Sequence, residues 1–163
     1  MSSRIDFLKN HHLAKNLLLI NRGIEKESLR TDKFGYLSQK KHPICLGSPL
    51  THKNITTDFS EALIELVTDC HTSKSDLLKQ LHELHAFTFC CIENELLWPN
   101  SMPCQLPDAN RLQIGTYGTS NIGQMKHIYR KGLSNRYGSY MQTISVMNSR
   151  YSCLLYTSPS PRD

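Results

Sequence analysis

The sequence of 163 residues predicts an α+β fold, with strands and helices in irregular succession. Three observations lead to this prediction. Glu25 and Glu27 stand two residues apart in a segment whose side chains alternate as they do along a strand. The apolar run from Ala62 to Thr68 has the length of a buried strand. The segment after Ser73 instead has leucines at helical spacing.

Composition limits the class of protein. Hydrophobic residues make up 39% of the chain and charged residues 20%, which is enough apolar material for a core. No apolar stretch reaches the roughly 20 residues that a membrane span needs. Arg4, Asp6 and Lys9 leave no room for the apolar region of a signal peptide. We therefore expect a cytoplasmic protein with no membrane partner.

The six cysteines and the net charge of +5 point to no special chemistry. The cysteines form no CxxC motif, and Cys90 and Cys91 are adjacent in a predicted helix, so free thiols are expected rather than disulfides. The densest basic spot is Lys40–Lys41–His42, which is more typical of a solvated loop than of a nucleic-acid site. We expect no nucleic-acid partner.

The first half of the chain predicts one helix and three strands. Apolar spacing indicates a helix over residues 5–20 that ends near Gly23. The strand with Glu25 and Glu27 follows, then a turn at residues 32–35 and a short strand near Tyr36. A loop over residues 42–49 leads to the core strand within residues 62–68, which has Glu65 in its middle.

The second half predicts two helices. Ser73 and Asp76 have the spacing of a capping box, and this helix is expected to run to Trp98. Its apolar stripe consists of Leu77, Leu81, Leu84 and Cys91. A further helix is predicted from Asn121 to about Met141, with Ile122, Met125, Tyr129 and Leu133 on one side. Residues 153–163 have no periodicity and resemble a translated sequencing adapter, so we interpret them as an artefact.

The residues most suited to chemistry are acidic. Glu25 and Glu27 share a strand face, and Asp58 and Glu65 come from a second patterned segment. Four carboxylates that converge would repel one another unless cations lay among them, and hard oxygen ligands suit Mg²⁺. The alternative is that Glu25 and Glu27 form the solvent face of an edge strand. Glu65 fits that alternative less well, because a carboxylate in an apolar strand needs a partner.

Other motifs leave alternatives open. His82 and His85 lie one helical turn apart, as metal ligands can, but no third ligand follows at a recognisable spacing. The stretch from Tyr117 to Gly123 could cradle a phosphate or could be a turn with a helix N-cap. Tyr129–Arg130 and Arg136–Tyr137 suit an anionic small molecule, and equally suit ordinary packing.

Four blocks of sequence occur in order between residues 18 and 145. The first three are RGIEKESLR from Arg22, HKNITTDFSEALIE from His52 and WPNSMPC from Trp98. The fourth begins with YGTSN at Tyr117, includes Tyr129–Arg130 and NRYG, and ends with MQTIS. Together they resemble the bacterial glutamate–cysteine ligase family. The resemblance implies an ATP-dependent enzyme in glutathione biosynthesis, whose partners are glutamate, cysteine and ATP. In that family ATP phosphorylates the γ-carboxylate of glutamate, and the amine of cysteine then displaces phosphate.

The resemblance also implies residue roles and a fold. It implies metal ligands at Glu25, Glu27, Asp58 and Glu65, for Mg²⁺ or, as an alternative, Mn²⁺. It implies positions around the amino-acid substrates at Phe59, Tyr129 and Arg130. The implied fold is similar to that of glutamine synthetase, an antiparallel sheet funnel with outer helices. The family is much longer than this chain, so the funnel is expected to be incomplete here.

The family pattern is expected to stop near residue 145. By the resemblance, Asn148 stands where the family has an active-site histidine. We therefore expect the chain to divide into a family part, residues 1–145, and a tail, residues 146–163. We expect the chain to be inactive alone and poorly soluble, because an incomplete sheet exposes an edge and apolar surface. Two alternatives remain: another carboxylate–amine ligase on the same scaffold, or a basic binding module without enzymatic activity. The module would use Lys40, Lys41, Arg130, Lys131 and Arg136.

Overall fold

The computed structural model describes residues 4–11, 19–100, 104–107 and 113–132, and the backbone of residues 143–146 and 149–152. Its helices are α1 (Arg4–Asn10), α2 (Lys74–Cys91) and α3 (Asn121–Lys131), with a 3₁₀ turn at Ile44–Leu46. Its strands are β1 (Glu25–Thr31), β2 (Ile55–Thr57), β3 (Leu63–Val67), β4 (Leu96–Leu97), β5 (Thr143–Val146) and β6 (Ser149–Ser152). This mixture confirms the predicted α+β class.

Four strands form an antiparallel sheet in the order β2-β3-β1-β4. In the central pair, Glu27 lies opposite Glu65 and Leu29 lies opposite Leu63. Residues that face each other across an antiparallel pair project to the same side of the sheet. The register therefore places both glutamates and both leucines on one face.

The two faces of the sheet differ in what covers them. One face packs against α2 through a cluster of Leu46, Ile55, Ile64, Leu66 and Cys91, flanked by Leu81 and Leu84. On the other face, Leu29 and Leu63 join a second cluster with Leu37, Phe59, Ala62 and Cys104. Beyond that cluster the same face continues along β1 and β3 to the glutamates. It is thus apolar at one end and acidic at the other.

Helix α2 begins as predicted and ends earlier than predicted. The Ser73 side chain caps it by accepting a hydrogen bond from the Asp76 backbone N–H at 3.3 Å. The helix ends at Cys91 rather than near Trp98, because Glu93 takes a positive φ of 54° and the chain then forms β4. Leu97 of β4 pairs with Arg30 of β1. The end of α2 is therefore set by the pairing of β4 with β1, which lies more than 60 residues earlier in the sequence.

The expectation of free cysteines is wrong at one pair. Cys45 and Cys91 form a disulfide across 46 residues of sequence. The fold brings the 3₁₀ turn against the end of α2, which cysteine spacing alone does not reveal. Cys70 and Cys90 are exposed thiols and Cys104 is a buried one, whereas Cys153 lies outside the described residues.

Other elements differ in extent. Helix α1 covers only the start of the predicted helix over 5–20, and residues 12–18 lie outside the described part. The strand expected near Tyr36 is reduced to two isolated β-bridges. Tyr36 pairs with Gln105, and Leu37 pairs with Thr31. Helix α3 begins at Asn121 as predicted, and its predicted continuation past residue 132 lies outside the description, as do residues 153–163.

The buried Arg30–Glu95 ion pair connects the sheet to the loops around it. Arg30 of β1 is fully buried, and its guanidinium donates to a Glu95 carboxylate oxygen at 2.5 Å. It also donates to the backbone oxygens of Lys40, Lys41 and Glu61 at 2.7–3.0 Å. The second oxygen of Glu95 accepts a hydrogen bond from the Ser38 hydroxyl. Because most of these polar atoms are paired, the buried charge is tolerated.

No helix within the described ranges is long and apolar enough to cross a membrane.

Candidate active site

Four carboxylates lie close together on the acidic end of the sheet. Glu27 and Glu65 face each other across β1 and β3, and Glu25 is two residues before Glu27 on the same face. Asp58 follows directly after β2, and its charge acts on both Glu27 and Glu65. The structure thus brings together the four residues that the acidic pattern singled out.

The pKa values of Glu27 and Glu65 reflect the nearby carboxylates. Desolvation raises the pKa of Glu27 to about 7, and the negative charges of Asp58, Glu65 and Glu25 contribute to the rise. The pKa of Glu65 is also raised, first by desolvation and then by Asp58 and Glu25. Glu27 retains access to solvent while Glu65 is half-buried. This face therefore carries negative charge that neighbouring cations neutralise only in part.

Two cations reach the site from α3. Arg130 forms an ion pair with Asp58, and both side chains are largely buried. Lys126 lies one helical turn before Arg130, is half-buried, and lowers the pKa of Glu65 through its positive charge. Desolvation lowers the pKa of Lys126 itself. The site is thus a layer of carboxylates with cations at its border.

The three residues that the family resemblance implied around the amino-acid substrates occupy different environments. Arg130 reaches the acidic face directly through Asp58. Tyr129 is 43% exposed on α3. Phe59 is only 1% exposed, and it packs within the apolar cluster that borders the carboxylates. In this structure Phe59 supports the floor of the site.

The donors fit a hard cation by their chemistry. Carboxylate oxygens are the ligands that Mg²⁺ prefers, and the raised pKa values of Glu27 and Glu65 show that added positive charge would be favourable here. Among the described residues, however, no three Asp, Glu, His or Cys side chains already stand as the ligands of one ion. The face therefore has the right chemistry for a cation without a preformed cage. His82 and His85 lie on α2, apart from the acidic face, and belong to no such group.

The segment that enters α3 has the geometry of one of the two alternatives predicted for it. The Ser120 side chain accepts a hydrogen bond from the Gly123 N–H at 3.1 Å, which makes it the N-cap of the helix. Gly118 has a positive φ of 82°, a conformation that favours glycine. These are the features of a turn followed by a capped helix.

Sequence reasoning missed Glu61 and Thr116. Glu61 is 3% exposed, and its carboxylate accepts hydrogen bonds from the backbone of His42 and from Thr116. No local pattern marks it, because its partners come from distant loops. Two signals were available: its position between Asp58 and Glu65, and its place within the block HKNITTDFSEALIE.

Comparison with known proteins now identifies the family. A family profile described as Glutamate-cysteine ligase matches residues 5–155, which is most of the chain. The chain belongs to the glutamate–cysteine ligase family. The match extends past residue 145, where the sequence analysis placed the boundary of the family part, and strands β5 and β6 pair across that position. The boundary itself stays a prediction.

Curated relatives with the name glutamate–cysteine ligase are about half identical to this chain. The protein of Wigglesworthia glossinidia brevipalpis is 50% identical over 152 residues, which cover 93% of this chain and 30% of the relative. That of Shewanella oneidensis is 49% identical over 136 residues, covering 83% and 26%. That of Saccharophagus degradans is 48% identical over 133 residues, covering 82% and 25%. The chain thus spans about a quarter of the length of the relatives it matches.

Solved structures support the same assignment. The crystal structure of the glutamate–cysteine ligase of Francisella tularensis in complex with AMP has a TM-score of 0.69 and 46% identity, over 75% of this chain and 24% of that one. A bifunctional glutathione synthetase from Pasteurella multocida has a TM-score of 0.61 and 28% identity, over 66% and 15%. The antiparallel sheet with its helices is therefore the fold of part of a glutamate–cysteine ligase.

Proposed function

We propose that this chain forms part of the active site of a cytoplasmic, ATP-dependent glutamate–cysteine ligase. The observation that supports this most directly is the placement of Glu27 opposite Glu65, with Glu25 and Asp58 on the same face, in a chain of this family. The reaction joins the γ-carboxylate of glutamate to the amine of cysteine through γ-glutamyl phosphate. Its reactants are glutamate, cysteine and ATP, and AMP is bound by the Francisella relative.

The acidic face is proposed to hold the metal ions of this reaction. Glu25, Glu27, Asp58 and Glu65 would bind Mg²⁺, with Mn²⁺ as a substitute. Bound metal would neutralise the charge of the phosphate oxygens during phosphoryl transfer. The carboxylates of this chain contribute the fixed negative charge that concentrates cations at this end of the sheet.

The cations and aromatics at the border are proposed to contact the amino-acid substrates. Arg130 can present a guanidinium to a substrate carboxylate. Tyr129 offers an aromatic ring with a hydroxyl on the exposed side of the same helix. Phe59 is proposed to support the site from the apolar cluster that lies next to the carboxylates.

Residues 1–145 are proposed to be the N-terminal part of the catalytic domain and residues 146–163 a separate tail, while the family profile matches as far as residue 155. The chain covers 25–30% of the relatives named above, so the rest of a family member would complete the site. We expect no ligase activity from the 163-residue chain alone.

A chimera tests the proposal. Residues 5–145 replace the matching segment of the Shewanella oneidensis relative, with which this chain shares 49% identity. Release of phosphate from ATP is then followed with glutamate, with and without cysteine. Release that depends on cysteine and on Mg²⁺ is expected. A folded chimera with no cysteine-dependent release would refute the proposal.

The same assay separates the alternative ligase. A bifunctional glutathione synthetase shares a similar fold with this chain at 28% identity, which supports testing other amines. Other amino acids therefore replace cysteine one at a time as the amine. Faster release with another amine than with cysteine would favour the other carboxylate–amine ligase.

A further inference from the structure

Glu61 is a buried carboxylate to which the proposed reaction assigns no part. One of its oxygens accepts two hydrogen bonds from Thr116, from the backbone N–H at 2.9 Å and from the hydroxyl at 2.6 Å. The other oxygen accepts the backbone N–H of His42 at 2.8 Å. A carboxylate that accepts several hydrogen bonds in a buried setting holds its donors firmly. Glu61 therefore joins the loop at residue 42 to the segment at residues 115–118.

The segment at residues 115–118 lies directly against the acidic site. The Gly115 N–H donates to the backbone oxygen of Phe59 at 3.0 Å. The Tyr117 hydroxyl donates to the backbone oxygen of Asp58, and Tyr117 is 2% exposed. The segment held by Glu61 thus fixes the backbone at Asp58, one of the four carboxylates, and at Phe59 beside it.

Helix α3 docks on the same segment. The His127 ring nitrogen Nδ1 lies 2.7 Å from the backbone oxygen of Gly115. A Cβ atom at Gly123 would come within 2.3 Å of the Tyr117 backbone oxygen, so only glycine allows this approach. The Lys126 ammonium lies 4.3 Å from the centroid of the Tyr117 ring, within the range of a cation–π contact. These contacts set the position of the helix that carries Arg130.

We infer that Glu61 is a positioning residue for the amino-acid substrate site. Its bonds to Thr116 hold the 115–118 segment, and that segment orients α3, with Tyr129 and Arg130, over the acidic face. This inference deepens the proposed function and rests on it for the identity of the substrates. Glu61 is not among the proposed metal ligands or substrate-binding residues, and we infer that it acts through Thr116 and Tyr117.

A pair of matched substitutions tests the contact. Thr116→Val removes the hydroxyl that donates to Glu61 and keeps the shape of the side chain, whereas Thr116→Ser keeps the hydroxyl. Thr116 is exposed, so both variants are expected to fold. In the chimera, Thr116→Val should raise the KM of one amino-acid substrate about tenfold or more and change kcat less, as expected for the loss of one hydrogen bond to a charged group. Thr116→Ser should keep both constants near those of the parent.

A second measurement does not depend on activity. Hydrogen–deuterium exchange of the 163-residue chain reports on residues 121–131 of α3 and, as an internal reference, on residues 74–91 of α2. Thr116→Val and Glu61→Gln should each accelerate exchange in α3 several-fold and leave α2 unchanged. Thr116→Ser should match the parent in both helices.

The outcomes separate the inference from the proposed function. Unchanged exchange in α3 for Thr116→Val would overturn the inference, whatever the activity of the chimera. Accelerated exchange with an unchanged KM in an active chimera would reduce Glu61 to a structural role and overturn its positioning role. If the parent chimera lacks cysteine-dependent release, the proposed function fails and the exchange data alone decide whether Glu61 holds α3.

Discussion

At the scale of single residues, the pairing of Glu27 with Glu65 is the feature with most chemical consequence. Two carboxylates that face each other across a strand pair destabilise each other, and a protein tolerates this arrangement where a ligand benefits from it. The raised pKa of Glu27, about 7, reflects partial desolvation and then the charges of Asp58, Glu65 and Glu25. Its alternation with Glu25 and its convergence with Glu65 were predicted from the sequence, but the register that places Glu65 directly opposite was not.

The raised pKa of Glu27 predicts a pH dependence of stability. Because its pKa rises from 4.5 to about 7 on folding, the folded state binds more protons than the unfolded state between these values. Glu27 therefore contributes stability below about pH 4.5 that is lost as the pH rises through 7. Glu27→Gln should flatten this part of the profile of unfolding free energy, measured by urea titration in EDTA. A profile that the substitution leaves unchanged would show that Glu27 is not perturbed.

Loss of Glu27 should also abolish most of the turnover. In the chimera, Glu27→Ala removes a proposed metal ligand, and kcat for cysteine-dependent phosphate release should fall about 100-fold or more. Glu83→Gln is the matched control, because Glu83 is an exposed carboxylate on α2 that lies 4.0 Å from the Lys79 ammonium. Its turnover should equal that of the parent. Equal losses in the two variants would contradict a specific role for Glu27.

At the scale of elements, Arg30 joins β1 to the chain that follows α2. Replacing it with Met leaves Glu95 as a buried charge without its ion-pair partner, which should cost about 3–5 kcal/mol of unfolding free energy. Lys53→Met is the control, since the Lys53–Asp69 pair is exposed, with side chains 74% and 43% accessible. Exposed pairs contribute about 1 kcal/mol or less. Urea unfolding of both variants compares the two costs, and similar values would contradict the buried role of Arg30.

The disulfide connects the 3₁₀ turn to the end of α2. Peptide mapping without reductant should recover Cys45 linked to Cys91, while Cys70 reacts freely with iodoacetamide. A bridge that closes a loop of this length stabilises a fold by up to about 4 kcal/mol in the chain-entropy model. Reductant should therefore lower the Tm, and Cys70→Ser should not. Alkylation of both Cys45 and Cys91 in the unreduced chain would show that the bridge does not form in solution.

At the scale of the whole molecule, α3 exposes much of its apolar surface. Ile122, Met125 and Ile128 are 67–69% exposed, and two of them, Ile122 and Met125, belong to the apolar side of the helix that the sequence predicted. Exposed apolar patches promote association. The isolated chain should therefore self-associate as its concentration rises, as measured by light scattering. Replacing the three residues with Gln should reduce this association, whereas Lys131→Gln on the same helix should not.

The sequence by itself determined the α+β class, the alternating acidic strand, the start of α2 and the family. These features depend on local rules, namely side-chain alternation, N-capping and short motifs in a fixed order, which neighbouring residues are enough to establish. Tertiary structure alone decided the Cys45–Cys91 bridge, the end of α2 and the hold of Glu61 on Thr116. Those features join residues 46 to 67 positions apart, and such contacts exist only after the chain has packed.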